Sequence, residues 1–479
     1  MKADNSKALL WSTLNNLSKL VSSVITPIIL ARLLGPEAFG LIAMAFVLVG
    51  LSQIFVDFGS TEAIVKSKHI TRKFLSTLFW FNFILCSIVF LILLALTPII
   101  SEFFLREQLK ILIPLLSVSM FFQAASIVPT SLFKRNKDFR SITACDLISR
   151  LLSSILAITA ALYGAGVYAL VILSVSQSLT YFISIKYLSN SNIDKYFSLK
   201  YVRLVFSFTA SLFYIKTINH IERQSDRLFI GPSFGDASLG IFSRSQAFQK
   251  ALQRFVNGSF NPVFFSVITR ENSNEFLKLA FKQSYQGFFL IMFPLFLFFY
   301  FLSYDLVLFL FGEEWFLMVE LLPYFSFLFL IRPFQKVNQE IIKAKGNILF
   351  LVVCFTVLTP LLIVLYFLMP KDFGIVGYIY AYIFISTLFL ISSIFYVRNL
   401  LMMKDYFIFK LFITFIPRLI VMTSVAISVK SFILIDDLYF FNLSVFGITL
   451  LVTMLILQRF QSMEAQEKLE RLLVKSLKM

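Results

Sequence analysis

Basic side chains occur deep inside several long apolar stretches of the sequence. Five lie in stretches at 8–34, 201–222 and 238–268, and two more lie four residues apart in a stretch at 318–342: Lys19, Lys216, Arg244, Lys250, Arg254, Arg332 and Lys336. A charge at the centre of a bilayer costs roughly 2.5 to 3.5 kcal/mol, so such groups normally face a partner or a hydrated cavity. Guanidinium groups bind phosphate bidentately, and ammonium groups act as point charges. These cations therefore predict a cavity that binds an anion.

A mixed set of charged and titratable residues lies near the ends of such stretches. Asp57 lies near the predicted inner end of a stretch at 38–60, and the others cluster near the predicted outer end of 201–222: His220, Glu222, Arg223, Asp226 and Arg227. The cluster fits a gate closed by ion pairs, and it equally fits a solvated loop. His220 fits either a proton relay or a hydrogen-bonded interior histidine. We predict these residues as candidates for gating or coupling.

The sequence indicates neither a catalytic site nor a cofactor site. Cys86, Cys145 and Cys354 lie at wide spacing within apolar stretches, which favours packing over a disulfide framework or a metal site. The motif GxxxxGK[ST] is absent from the sequence, so direct ATP hydrolysis is not expected. We predict no catalytic residue, no metal and no cofactor.

The composition places these residues in a membrane. Of the 479 residues, 58% are hydrophobic and 14% are charged, and the mean hydropathy is +0.85. Such a chain is too apolar for an ordinary soluble domain. The net charge of +17 does not indicate nucleic-acid binding, because the basic residues are scattered through short breaks rather than gathered on one basic domain.

The hydropathy pattern predicts an all-α integral membrane protein with about fourteen transmembrane helices. They cover 8–34, 38–60, 74–100, 111–133, 141–163, 166–187, 201–222, 238–268, 285–304, 318–342, 348–369, 373–397, 407–429 and 438–458. Bases such as Lys134 fall in alternate breaks and acids such as Glu107 in the others, which predicts that both termini are cytoplasmic. Several predicted helices, including 166–187, carry no charged residue in their central part. We expect these helices to be free to face lipid.

A repeated turn predicts two related halves. LLGPEAFGLIAMA at 33–45 returns as SFGDASLGIFSRS at 233–245, with glycines at the same spacing. A second pair, YGAGVYALVI at 163–172 and FGIVGYIYAYI at 373–383, has nearly the same offset. We therefore expect two six-helix repeat lobes around a central cavity, followed by two C-terminal helices. The expected divisions are an N-lobe at 1–190, a C-lobe at 191–400, two helices within 401–458 and a basic cytoplasmic tail at 459–479, which either rests on anionic headgroups or is solvated.

Three segments carry a family resemblance. ARLLGPEAFGLIAMAFVLVGLSQIFVDFGSTEAIV at 31–65, DRLFIGPSFGDASLGIFSRSQAFQ at 226–249 and AKGN at 344–347 resemble the Wzx-type polysaccharide flippases of the multidrug/oligosaccharidyl-lipid/polysaccharide exporter superfamily. The resemblance implies a bacterial inner-membrane protein that moves undecaprenyl-diphosphate-linked oligosaccharide units to the periplasmic leaflet without being an enzyme. It implies membrane lipids as partners, and it suggests a polysaccharide polymerase and a chain-length regulator as further partners.

Three rival functions remain open from the residues. A membrane-embedded polymerase or ligase would need an ordered extracytoplasmic loop, whereas the outer breaks are short. A cation-coupled multidrug exporter of the same superfamily would suit an acidic cavity better than a basic one. A lipid II flippase shares the predicted fold and the requirement for a diphosphate site.

Overall fold

The structure is a computed structural model of the chain. It describes residues 2–67, 70–189, 193–270, 274–404, 413, 415–432 and 438–455. Within the helices, the side chains at 2–23, 204–212, 214–216, 219, 252, 254–270 and 371 lie outside that description. The tail predicted at 459–479 also lies outside it.

The described residues form α-helices, short 3-10 turns and connecting loops, with no β-strand among them. The helices are α1 Lys2–Asp57, α2 Ser60–Lys66, α3 Arg72–Phe103, α4 Leu109–Arg135, α5 Phe139–Leu162, α6 Tyr168–Leu188, α7 Leu199–Arg270, α8 Asn274–Phe301, α9 Ser303–Leu310, α10 Leu317–Ala344, α11 Ile348–Leu368, α12 Gly374–Leu400, α13 Ile416–Phe432 and α14 Tyr439–Leu455. Within the described ranges, nine helical segments are long and apolar enough to cross a bilayer, the first of them at Val24–Lys66 and the last at Gly374–Leu400. The prediction of an all-α membrane protein is confirmed.

The chain divides into two compact units. Unit 1 comprises Met1–Ser259 and Val352–Tyr378, and unit 2 comprises Phe260–Leu351 and Ile379–Met479. The two lobes predicted from the sequence, at 1–190 and 191–400, are repeated halves of the chain and not compact units in this sense. Their boundaries stay a prediction.

Unit 1 contains both copies of the repeated turn, and their backbones match. Gly35 has φ 67° and ψ 176°, and Gly235 has φ 84° and ψ −179°. Each glycine is the non-helical residue at which one helix ends and the next begins, inside α1 and α7 respectively. A positive φ is strained for residues with a Cβ, so glycine is required at both turns. The sequence repeat therefore corresponds to a repeated conformation.

The helices that follow these two turns cross in close contact. A Cβ added to Gly40 would lie 1.8 Å from the carbonyl oxygen of Asp236, and one added to Gly240 would lie 2.0 Å from that of Pro36. The contacts are reciprocal. The glycine of each helix lies against the carbonyl group of the first residue after the kink in the other helix. Small residues at helix crossings in membranes allow this approach of backbones.

The linker between α6 and α7 is tied to α3. The Trp80 indole Nε1 donates a hydrogen bond of 3.1 Å to the Asp194 carbonyl oxygen, and the Asp194 backbone N–H donates one of 2.9 Å to the Ser76 hydroxyl. Lys73 lies over the ring of Tyr196, with Nζ 5.3 Å from the centroid. These contacts fix where α7 begins within unit 1.

Unit 2 has an aromatic core with a buried polar network. The ring of Tyr285 stacks between those of Phe281 and Phe334, with centroids 4.2 and 4.5 Å away. Its hydroxyl donates a hydrogen bond of 2.9 Å to Asn338 Oδ1, and Asn338 Nδ2 donates one of 2.8 Å to the Ser393 hydroxyl. The network joins α8, α10 and α12.

One predicted boundary is wrong. The helix expected to end at residue 222 continues to Phe234, one residue before the kink at Gly235, so 222–227 are helical and do not form a solvated loop. In this segment Asp226 is buried and accepts hydrogen bonds inside unit 1 instead of facing solvent.

Candidate substrate cavity

Unit 1 contains a cavity of about 650 Å³ between α1, α6 and α7. Its walls combine apolar residues with groups that can bind an anion or a polar ligand. The polar and titratable lining residues are Gln53, Asp57, Ser174, Gln177, His220, Gln224, Arg227, Ser243 and Arg244. Four of the residues predicted from the sequence, Asp57, His220, Arg227 and Arg244, are thus brought to one cavity.

Two guanidinium groups face this cavity from α7, one from each side of the kink at Gly235. The Arg244 guanidinium lies over the ring of Phe39, with Cζ 4.7 Å from the centroid. Neither Arg227 nor Arg244 forms an ion pair with a carboxylate among the described residues, and the Nε of each has no hydrogen-bond partner there. Buried polar atoms are normally paired, so these groups are suited to contact a ligand.

The carboxylate beside Arg227 is held by other groups. Asp226 is buried, and it accepts hydrogen bonds of 2.8 Å from the Arg227 backbone N–H and 2.7 Å from Gln246 Nε2. Lys250 Nζ in turn donates a bond of 2.6 Å to Gln246 Oε1. Lys250 therefore belongs to the Asp226 network behind the cavity wall, and it is not among the lining residues.

Asp57 and His220 occupy the wall formed with α1. Asp57 Oδ1 accepts bonds of 3.2 Å from the Thr61 backbone N–H and 3.0 Å from the Thr61 hydroxyl. The imidazole Nε2 of His220 lies 3.5 Å from the Val47 carbonyl oxygen. A Cβ at Gly50 would lie 2.9 Å from His220 Cε1, so glycine at this position makes room for the ring.

Helix α6 contributes one wall of the cavity, although the absence of charge along most of its length predicts that it faces lipid. Leu170, Leu173, Ser174 and Gln177 line the cavity, so the expectation that 166–187 faces lipid is wrong for this face. The prediction relied on formal charge, whereas amide and hydroxyl groups also need polar surroundings inside a membrane. The spacing of Ser174 and Gln177, three residues apart on a helix, is the signal that was available.

The other predicted site residues lie elsewhere. In unit 2, the Arg332 guanidinium lies 4.9 Å from the ring centroid of Tyr382, and Lys336 Nζ lies 2.7 Å from Glu340 Oε1. In unit 1, Glu222 is half-buried and Arg223 is exposed, and neither lines the cavity. The side chains of Lys19, Lys216 and Arg254 are outside the described residues.

Sequence comparison identifies the family. The family model described as "Polysaccharide biosynthesis protein" matches residues 29–320. This range covers α1 from residue 29 onward and the whole of α2 to α9, and so it includes both glycine turns. The chain belongs to this family. The predicted resemblance to polysaccharide flippases is thereby confirmed at the level of the polysaccharide biosynthesis family.

Relatives of this chain include two bacterial proteins. The chain is 23% identical over 310 residues to the teichuronic acid biosynthesis protein TuaB of Bacillus subtilis (strain 168), covering 62% of each chain. It is 25% identical over 310 residues to the succinoglycan biosynthesis transport protein ExoT of Rhizobium meliloti (strain 1021), covering 64% of this chain and 62% of that protein. The chain thus spans less than two thirds of the length of these relatives.

The fold of this chain is similar to that of a solved structure. The lipid II flippase MurJ in an inward closed conformation matches with a TM-score of 0.74 at 16% identity, covering 94% of this chain and 99% of that one. With the apolar helices, this match shows a multi-pass membrane protein with a MurJ-like fold.

A charged contact lies outside the membrane-spanning segments, next to the second glycine turn. Arg106, in the loop between α3 and α4, donates to both carboxylate oxygens of Asp236, at 2.8 Å from Nε and 3.0 Å from a terminal nitrogen. The hydrogen bonds and charge of Asp236 raise the pKa of Arg106. Asp236 Oδ1 also accepts a bond of 3.0 Å from the Ala237 N–H, one of the N–H groups in the first turn of the helix that have no partner within it.

Proposed function

We propose that the protein moves a lipid-linked oligosaccharide, carried on undecaprenyl diphosphate, from the cytoplasmic to the outer leaflet of the bacterial inner membrane. The observation that carries the proposal is that the guanidinium groups of Arg227 and Arg244 line one cavity, and that neither forms a salt bridge with a carboxylate of the described residues. The charge of the neighbouring Asp226 attracts that of Arg227 without such a contact. The family and the flippase fold support a transport role. Both termini would be cytoplasmic, as the distribution of basic residues predicts.

The chemistry of the cavity favours an anionic headgroup. Two guanidinium groups on one cavity repel cations and gain most from a doubly anionic group such as a diphosphate. A cationic drug would have to enter against these charges, with Asp57 as the single carboxylate among the residues that line the cavity. The headgroup would bind in the cavity while the polyprenyl tail stays in lipid, and a change of access would release it on the other side. No covalent bond changes.

Complementation in the source bacterium tests the proposal. Deletion of the gene should abolish the surface polysaccharide and leave the intact lipid-linked unit in the cytoplasmic leaflet. Arg244→Gln and Arg227→Gln should each fail to restore transport or reduce it about 10- to 100-fold, because a hydrogen bond to a charged group contributes about 1.5–3 kcal/mol. Arg203→Gln, which removes an exposed charge from the same helix, is the matched control and should restore it fully.

The same experiment can also contradict the proposed function. Unchanged polysaccharide in the deletion strain would refute the proposal. A non-viable deletion with arrested cell-wall synthesis would point to lipid II as the substrate. Normal transport by the double variant Arg227→Gln, Arg244→Gln would show that the guanidinium pair does not bind the headgroup. Arg244→Lys keeps the charge without the bidentate geometry, and it should give an intermediate rate.

A further inference from the structure

Part of the cavity wall carries no formal charge but is rich in hydrogen-bonding groups. Gln53 comes from α1 and Ser174 and Gln177 come from α6, whereas both arginines come from α7. The side chains of Gln53 and Gln177 make no hydrogen bond to another described residue. On α7, the Oε1 of Gln224 is buried without a partner there. Neutral and charged donors are thus contributed by different helices.

The polar residues of α6 have different kinds of partner, and two of them, Ser176 and Thr180, donate to backbone carbonyls of their own helix. Ser178 accepts a hydrogen bond of 3.2 Å from Gln123 Nε2, and the hydroxyl of Tyr181 lies 3.2 Å from that of Thr130. These pairs join α6 to α4 and are accounted for by helix packing. Ser174 and Gln177 instead line the cavity, where a ligand would be their partner.

Amide and hydroxyl groups match the chemistry of sugars. A sugar hydroxyl both donates and accepts, as the glutamine amide and the serine hydroxyl do, whereas a diphosphate only accepts and gains most from cationic donors. Buried groups built to pair with hydroxyls also reject a ligand that lacks them, because they would be left unpaired. A cavity of about 650 Å³ suits the diphosphate and the sugars next to it.

We infer that Gln53, Ser174 and Gln177 bind hydroxyl groups of the sugars next to the diphosphate and determine which repeat unit is accepted. This inference rests on the proposed function, since it places a glycosylated diphosphate headgroup in the cavity. The arginines of α7 bind the diphosphate, which all such substrates share. The residues of α1 and α6 bind the sugars, which differ between substrates.

The test compares binding of two lipids to the purified full-length protein in detergent. One probe is undecaprenyl diphosphate, and the other is the lipid-linked oligosaccharide that accumulates in the deletion strain. We expect the double variant Gln53→Leu, Gln177→Leu to bind the glycosylated lipid about tenfold more weakly than wild type and undecaprenyl diphosphate equally well. Gln123→Leu removes a glutamine that bonds to Ser178 instead of lining the cavity, and it should leave the ratio of the two affinities unchanged.

Each outcome decides a specific point. An equal loss for both lipids, or no loss for either, would overturn the sugar-binding role while leaving the proposed function in place. A wild-type protein that binds neither lipid would overturn the proposed function and this inference with it. Because each variant is scored by the ratio of two affinities measured on one preparation, a partly misfolded sample does not mimic the expected result. Ser174→Ala provides a smaller second change and should shift the ratio in the same direction.

Discussion

Replacing Gly40 or Gly240 by alanine tests the crossing of the two repeated helices. A Cβ at Gly40 would lie 1.8 Å from the Asp236 carbonyl oxygen, whereas ordinary contact begins near 3.4 Å. The helices must therefore separate by roughly 1.6 Å locally. The contacting atom belongs to the backbone, so no side-chain rotation relieves the clash.

Overpacking of this kind costs about 1–3 kcal/mol. We expect each variant to lose that much free energy of unfolding, measured by denaturant titration of the purified protein in detergent. A Cβ at Gly240 would also lie 2.9 Å from the backbone nitrogen of Gly40, so the two sites share one contact. The double variant should consequently lose less than the sum of the single losses. Because Phe39 adjoins Gly40 and Arg244 lies one turn after Gly240, binding of the lipid diphosphate should weaken as well.

Gly287 provides the matched control. It lies inside α8, and a Cβ there would meet no atom within 4 Å. Gly287→Ala should keep or raise stability, because alanine is favoured over glycine by about 0.5–1 kcal/mol within a helix. If Gly40→Ala were as stable as Gly287→Ala, or if the losses at Gly40 and Gly240 simply added, the proposed crossing would be wrong.

Two further predictions concern polar contacts. A double-mutant cycle with Arg106→Ala and Asp236→Asn should give a coupling free energy of about 1 kcal/mol or less, because the Arg106 side chain is 42% exposed and solvent screens the pair; a coupling of several kcal/mol would contradict this. In unit 2, Asn338→Ala removes both bonds of a fully buried amide and leaves the Tyr285 hydroxyl unpaired, so we expect a loss of about 2–4 kcal/mol in unfolding free energy. Ser392→Ala, at a half-buried hydroxyl that bonds within its own helix, is the control and should cost under about 1 kcal/mol; equal losses would refute the network's contribution.

The sequence predicted the helices and the repeat well, because hydropathy and glycine spacing are local signals. The turns at Gly35 and Gly235 are the clearest case, since one spacing gave two matching backbone conformations. The i,i+4 pair of Asp146 and Arg150 is equally local, and Arg150 Nε lies 3.0 Å from Asp146 Oδ1. Both features depend only on residues close together in the chain.

The site was predicted in part, because its assembly depends on packing between distant helices. Formal charge identified Arg227 and Arg244 as candidates, and both line the cavity. It also identified Lys336, which forms an ion pair with Glu340 instead. Charge gave no indication of Gln177, whose helix has a cavity face visible only in three dimensions. Whether a buried cation binds substrate or a neighbouring carboxylate is decided by contacts that sequence spacing does not contain.

Leaflet exchange in proteoliposomes tests the central claim most directly. Purified protein is reconstituted with the lipid-linked oligosaccharide, and movement between leaflets is followed by the fraction of sugar that a membrane-impermeant glycosidase can reach. We predict protein-dependent exchange that falls at least tenfold in Arg227→Gln, Arg244→Gln and is retained in Arg203→Gln. Exchange at the wild-type rate in the double arginine variant, or no exchange above protein-free vesicles, would contradict the account.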